Sequence, residues 1–191
     1  MTREKIIIVI LLIVVVGSIV GLRTIPQTEN INNAELLQPG DILFVDIYDG
    51  WSFWGRWDHM AIYVGEQIIS GVYRDRAVVE ATFDAGVTLT QIDAFLERDR
   101  PAEVSVKRLK DIPEREKIIR EAVEYALNQE GKRFDVNVFI SPLFHKIGDK
   151  AYHCTEVIWR AYKQAGVNLD SNRGFMLLPD DTYFSSWLES I

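Results

Sequence analysis

The chain has 191 residues, of which 48% are apolar and 26% charged, a composition typical of one folded domain of ordinary size. Its formal net charge of -7 repels phosphate backbones, so nucleic acid is not expected as a partner. A single cysteine allows neither an internal disulfide nor a cysteine-rich zinc site. The sequence has no phosphate-binding loop, dinucleotide glycine pattern or histidine-carboxylate metal spacing, and neither a cofactor nor a metal is expected.

An apolar run, IIIVILLIVVVGSIVGL, occupies residues 6–22 behind Arg3 and Lys5. At ~1.5 Å per residue it spans roughly 25 Å, the short end of the range for a membrane helix. The run is long for the core of a signal peptide and no A-x-A cleavage site follows, so residues 1–23 are interpreted as a membrane anchor, with a cleaved signal or a buried helix as alternatives. The basic residues before the run favour an extracytoplasmic domain, although Arg23 on the far flank weakens that orientation.

Residues 24–36 are polar and contain one proline, which indicates a linker, and residues 37–191 are predicted to form the folded domain. Its first half contains segments with the composition and alternation of strands. The predicted strands are ILFVDIY, HMAIYVGE, AVVEATF and EVSVKRL, with QIISGVYR as a further candidate. QIDAFLER is predicted to be a short helix, with Thr88 or Thr90 as its cap.

After Pro113 the apolar residues recur at helical spacing, and Gly131 closes that segment. A second amphipathic helix follows Cys154 and stops at Gly166, and LPDD, residues 178–181, is predicted to start a last turn or short helix. Strands followed by helices predict an α+β fold, with a mostly antiparallel sheet and helices on one side.

Cys154 lies at the start of the second amphipathic helix, in YHCTEVIWRAY. The plain interpretation is a buried core cysteine, because Val157 and Ile158 share its helix face. The alternative is a nucleophile, since a helix N-terminus stabilises a thiolate and offers N–H donors for an oxyanion.

A thiolate nucleophile needs a base, and three histidines are candidates. His153 is adjacent to Cys154, and neighbouring helical positions do not face each other. His145 lies in a loop-like stretch and is most simply a surface residue. His59 begins the strand HMAIYVGE beside a glycine-rich aromatic loop, where it could line a cleft or merely pack.

Glu80 interrupts the apolar strand AVVEATF and either faces solvent or needs a buried partner. With a partner, it could hold the imidazole of His59 and stabilise its cation, which would complete a Cys-His-Glu set.

Six segments in order carry a resemblance to a known group: LQPGDILF, DHMAIYVG, VVEAT followed by GV, YALNQEGKRFD, YHCTEVIWRAYKQAGV and LPDD. From about residue 37 to 186 the chain resembles the permuted papain-like (YiiX-like) branch of the NlpC cysteine hydrolase superfamily. It is similar, more distantly, to the lecithin retinol acyltransferase group. The resemblance implies a permuted papain-like fold in which His59 is the base, Glu80 the third polar residue and Cys154 the nucleophile.

The expected function is therefore a membrane-anchored, extracytoplasmic cysteine peptidase or amidase. The resemblance implies an amide substrate, such as a cell-wall peptide or another small peptide. A lipid acyltransferase or thioesterase with the same site, and a binding module without catalysis, are the alternatives. Trp57, from the aromatic loop, and Tyr152 are predicted to bind the substrate, and the oligomeric state is left open.

Overall fold

The structure is a computed structural model that describes residues 36–47, 55–69, 71–98, 101, 103–136, 150–174 and 176–191. The predicted anchor and most of the linker lie outside these ranges, as do His145 and the loop aromatics Trp51, Phe53 and Trp54. Within the described ranges, no helix has both the length and the apolar character needed to span a bilayer.

A six-stranded antiparallel sheet forms the centre of the domain, in the order β4-β3-β2-β1-β5-β8. Its strands are β1 (Ile42–Asp46), β2 (His59–Ile69), β3 (Val72–Thr82), β4 (Gly86–Gln91), β5 (Glu103–Leu109) and β8 (Leu188–Ser190). Two short strands, β6 (Arg133–Phe134) and β7 (Ala151–Tyr152), pair in parallel beside it. The predicted mixed α+β class with an antiparallel sheet is confirmed.

The hairpin of β2 and β3 is longer than the sequence indicated. The prediction ended a strand at Gly65 and placed a separate strand candidate at residues 67–74, whereas the pairing with β3 continues to Ile69. Gly65 has φ 73° and lies at a register shift, so it makes a bulge inside the strand rather than a turn. A glycine with positive φ suits both a bulge and a turn, so the sequence alone could not distinguish them.

Strand β4 was missed by the sequence analysis. Thr88 and Thr90, one of which was predicted to cap the helix, are both strand residues and pair with Glu80 and Val78 of β3. The short helix follows directly after Gln91.

Four helices complete the described fold: α1 (Ile92–Arg98), α2 (Arg115–Leu127), α3 (Cys154–Gln164) and α4 (Pro179–Tyr183). Each lies where the sequence pattern predicts one. Helix α3 buries seven residues, and α2 packs beside it.

The core has two parts because the sheet is covered on both faces. Phe44, Met60 and Ile62 belong to a cluster that includes α2 and α3. The alternate residues Leu43 and Ala61 belong to a second cluster, which includes Ile92 and Phe95 of α1. The prediction that all helices lie on one side is therefore wrong, because α1 packs on the opposite face.

Candidate active site

Cys154 is the first residue of α3, and His153, with extended backbone at φ -92° and ψ 171°, is the N-cap. The cysteine is free and only partly buried, and it packs at the margin of the larger core cluster. The first backbone N–H groups of a helix have no partner inside the helix, so they present partial positive charge to groups at this end.

His59 is the first residue of β2, and its ring is mostly buried, with 8% of the residue exposed. The Nε2 atom lies 2.7 Å from Oε2 of Glu80, and the ring contacts Phe95 of α1 at a centroid distance of 5.8 Å. Glu80 therefore engages His59 through Nε2.

Glu80 lies in β3 and is fully buried, at 0% exposure. Its carboxylate makes a hydrogen bond with His59 and accepts one from Thr90 Oγ1 at 2.7 Å. Two more come from Arg98, whose Nη1 and Nη2 each lie 2.8 Å from a different carboxylate oxygen. The pairing of β3 with β4 explains the contact between Glu80 and Thr90. Glu80 is opposite Thr88 and Val78 is opposite Thr90, so the side chains of Glu80, Val78 and Thr90 lie on one face of the sheet.

The ionisation of these groups follows from their contacts. Burial desolvates Cys154 and favours the thiol, but the charge of His59 and hydrogen bonds from His153 and His59 lower its pKa to about 5. Burial likewise disfavours the imidazolium, but the charge and hydrogen bond of Cys154, together with Glu80, raise the pKa of His59 to about 10. The favoured state at neutral pH is therefore a thiolate–imidazolium pair.

The pKa of Glu80 is shifted in the same sense. Burial acts to raise it, but hydrogen bonds from Arg98, His59 and Thr90 lower it to about 2. Glu80 therefore stays ionised, which gives the imidazolium of His59 a fixed negative neighbour.

His153 borders the candidate site, although the sequence pattern did not point to it. Two residues inside a helix at adjacent positions diverge, but His153 is the N-cap and its backbone is extended. His153 is 3% exposed, and its interaction with Cys154 lowers the pKa of the thiol. The rule for adjacent helical positions does not apply to His153, because this residue precedes the first helical residue.

Asp180 fixes the segment that leads into His59. Its carboxylate accepts hydrogen bonds from the backbone N–H groups of Arg56, at 3.0 and 3.2 Å, and Trp57, at 3.0 Å. A Cβ atom on Gly55 would lie 2.6 Å from the same carboxylate, so the close approach requires glycine. Asp180, in the LPDD segment, thus joins the start of α4 to the residues just before β2.

Trp57 and Tyr152 are both enclosed by protein. Trp57 is 1% exposed and packs against Phe44 and Tyr183. Tyr152 is fully buried, and its hydroxyl hydrogen-bonds with Tyr125. Substrate binding by either residue stays a prediction that would require the surrounding side chains to move.

Glu156 is a second buried carboxyl group near Cys154, at 1% exposure. Its Oε1 accepts a hydrogen bond from Arg160 at 2.8 Å, whereas its Oε2 has no hydrogen-bond partner in the described part of the chain. Desolvation dominates over the nearby cations and raises its pKa to about 7.

Among the described residues, no group of three or more histidine, cysteine, aspartate or glutamate side chains is arranged to hold a metal ion.

The structure of metalloprotein YiiX from Escherichia coli O157:H7 has a similar fold, with a TM-score of 0.56 and 15% sequence identity. The match covers 81% of this chain and 96% of that chain. No curated protein matches the sequence.

A family model described as "permuted papain-like amidase enzyme, YaeF/YiiX, C92 family" matches residues 36–181, which is more than half of the chain. This match confirms the resemblance drawn from the six ordered segments. The chain belongs to the permuted papain-like amidase family and is a cysteine peptidase or amidase.

Proposed function

We propose that the protein is a membrane-anchored, extracytoplasmic cysteine hydrolase that cleaves an amide bond through an acyl-enzyme. In this proposal Cys154 is the nucleophile and His59 the general base and acid. Glu80 orients the ring of His59 and stabilises its protonated form. The observation that carries it is the 2.7 Å contact between His59 and the buried Glu80, and the charges of His59 and Cys154 favour each other's ionised forms.

The first half-reaction begins with the thiolate of Cys154. Its sulfur attacks the carbonyl carbon of the substrate, and the carbonyl electrons move onto oxygen. The N–H groups of the first turn of α3 supply donors for that oxyanion, since they have no intrahelical partners. As the tetrahedral species collapses, the imidazolium of His59 gives its proton to the leaving amine, and the thioester acyl-enzyme remains.

The second half-reaction releases the acyl group. His59, now neutral, takes a proton from a water molecule that attacks the thioester carbonyl. Collapse expels the thiolate of Cys154, which restores the ion pair with the protonated His59. Glu80 carries its negative charge throughout, so each time His59 is protonated the cation has a hydrogen-bonded partner 2.7 Å away.

The substrate class proposed is a cell-wall peptide or another small peptide, because the family is one of amidases. The membrane location rests on the apolar run at residues 6–22 and the basic residues before it.

The test uses the purified full-length chain in detergent with two substrate panels, short peptides and acyl esters. Peptide turnover with an acyl adduct on Cys154 by intact mass supports the proposal, and Cys154→Ala should abolish both. Turnover of acyl esters alone would favour the acyltransferase or thioesterase alternative. A chain that binds peptides equally well with and without Cys154, and turns over neither panel, would be a binding module.

A further inference from the structure

A fourth residue, Arg98 of α1, contacts the proposed site through Glu80. Its two terminal nitrogens donate to the two oxygens of Glu80, both at 2.8 Å. This two-point contact fixes the plane of the carboxylate as well as its charge, which a single hydrogen bond does not do. Oε2, which receives Nη2 of Arg98, is the same oxygen that lies 2.7 Å from His59.

We propose that Arg98, assisted by Thr90, is a positioning residue that holds Glu80 ionised and aimed at His59 and thereby keeps Cys154 as a thiolate. The inference rests on the proposed roles of these three residues and deepens them. Arg98 acts only through Glu80, so it is not itself catalytic.

Burial explains why Glu80 needs such a partner. At 0% exposure the carboxylate has no water to solvate it, and desolvation is the largest effect that opposes its ionised form. Among the groups that favour ionisation, the hydrogen bonds from Arg98 come first, ahead of those from His59 and Thr90. Arg98 itself is 38% exposed along its side chain, so its own charge remains partly solvated.

Among the described residues, the following groups face the two titrating residues. Glu80 faces His59 from β2, Thr90 from β4 and Arg98 from α1. The sulfur of Cys154 lies 3.9 Å from Oγ1 of Thr155, and the charged groups that lower its pKa are His59 and His153. Without Arg98 the pKa of Glu80 rises, and a protonated Glu80 no longer balances the imidazolium that stabilises the thiolate.

The sign of the effect follows. As the pH falls, the variant loses its thiolate sooner than the parent, so the acid limb of thiolate reactivity moves to higher pH. A purely structural role for Arg98, such as tethering α1 to the sheet, would lower stability and leave that limb in place.

The chain offers a matched control for the tether. Arg76 of β3 donates to Asp93 of α1 at 2.7 Å, so this exposed ion pair also joins α1 to β3 but does not touch Glu80. Asp93→Asn removes the charge of this second ion pair alone.

The experiment measures alkylation of Cys154 by iodoacetamide against pH, by intact mass on the full-length chain. The chain has one cysteine, so the adduct reports one site, and no substrate is needed. For Arg98→Gln we expect the acid midpoint to rise by at least about half a pH unit, and for Arg98→Lys by less, because lysine keeps the charge without the fork. Thr90→Val should shift the midpoint in the same direction by a smaller amount, and Asp93→Asn should leave it unchanged.

A double variant tests whether Arg98 acts through Glu80. If it does, adding Arg98→Gln to Glu80→Gln causes no further loss of thiolate reactivity. A further loss in the double variant, or an unmoved midpoint in folded Arg98→Gln, would overturn the proposal. If Arg98→Gln does not fold, the proposal is overturned when the acid midpoint of Thr90→Val equals that of the parent. If the acid midpoint of Cys154 alkylation shifts in Arg98→Gln but the parent hydrolyses no amide, the role of Arg98 is supported. Only the proposed function is then contradicted.

Discussion

Replacing Glu80 with glutamine is expected to lower kcat by at least about tenfold, roughly 1.4 kcal/mol of barrier, while the fold persists. The substitution keeps the shape of the side chain but removes its charge. It also turns one oxygen into an NH₂ group in a place where every neighbour, His59, Thr90 and Arg98, acts as a donor. At least one of these donors then loses its acceptor.

The size of the loss can be worked from the contacts. A hydrogen bond to a charged group contributes about 1.5–3 kcal/mol, which corresponds to about a ten- to hundredfold change in rate if the bond to the His59 imidazolium is the one lost. The positive charge of Arg98 remains beside His59 with no carboxylate between them, so the pKa of His59 falls. The alkaline limb of the pH–rate profile should therefore move to lower pH.

The assay is kcat for parent and variant on any substrate that the parent cleaves, across the pH range, with thermal unfolding as the check on the fold. Asp41→Asn is the matched control. Asp41 is also buried, at 1% exposure, and also accepts two hydrogen bonds from one arginine, Arg108, but it has no contact with His59. We expect Asp41→Asn to lower stability and leave kcat near the parent value. Near-parent kcat for Glu80→Gln would refute the orienting role.

Three further outcomes follow from the structure and the sequence. The rate of Cys154 alkylation should rise through a pH near 5, because the pKa of the thiol is about 5, and Cys154→Ala should show neither alkylation nor turnover. Glu156 binds its proton more tightly in the folded state, where its pKa is about 7, than at its ordinary pKa of 4.5. The free energy of unfolding should therefore fall as the pH rises between these two values. Glu156→Gln should remove up to about 3 kcal/mol of that fall, measured by urea unfolding at pH 5 and pH 8. Removal of residues 1–30 should leave a folded domain that stays in solution without detergent. If this fragment aggregates while the full chain stays in solution without detergent, residues 6–22 belong to the core instead.

The sequence was informative where a residue's role depends on its own element. Cys154 was placed at a helix start from the apolar spacing that follows it, and His59 at a strand start from alternation. Both predictions use only the period of the local chain.

The rest depends on pairing between elements, which the local pattern does not contain. Thr90 meets Glu80 because β3 and β4 pair in one register, and β4 was not predicted. Arg98 reaches Glu80 because α1 packs on the face of the sheet opposite α3, where the prediction placed no helix. These two contacts required the tertiary structure.

The proposed site is an alternating row of charges, and this order explains which members matter most. The thiolate of Cys154 is followed by the imidazolium of His59, the carboxylate of Glu80 and the guanidinium of Arg98. Each buried charge is stabilised by a neighbour of opposite sign, so loss of an end member leaves the remaining neighbours alternating. Loss of Glu80, an inner member, instead leaves two cations facing one another across the gap.

Glu80→Gln should therefore reduce thiolate reactivity more than Arg98→Gln does, although Arg98 makes two of the four hydrogen bonds to Glu80 that the described residues show. The double variant should be no worse than Glu80→Gln, and more stable, because it removes the arginine left without its carboxylate. Alkylation at neutral pH and thermal unfolding of the two single variants and the double variant give the order directly. If Arg98→Gln proves the more damaging single change, the four groups do not act as one row, and Arg98 acts on the site by a route other than Glu80.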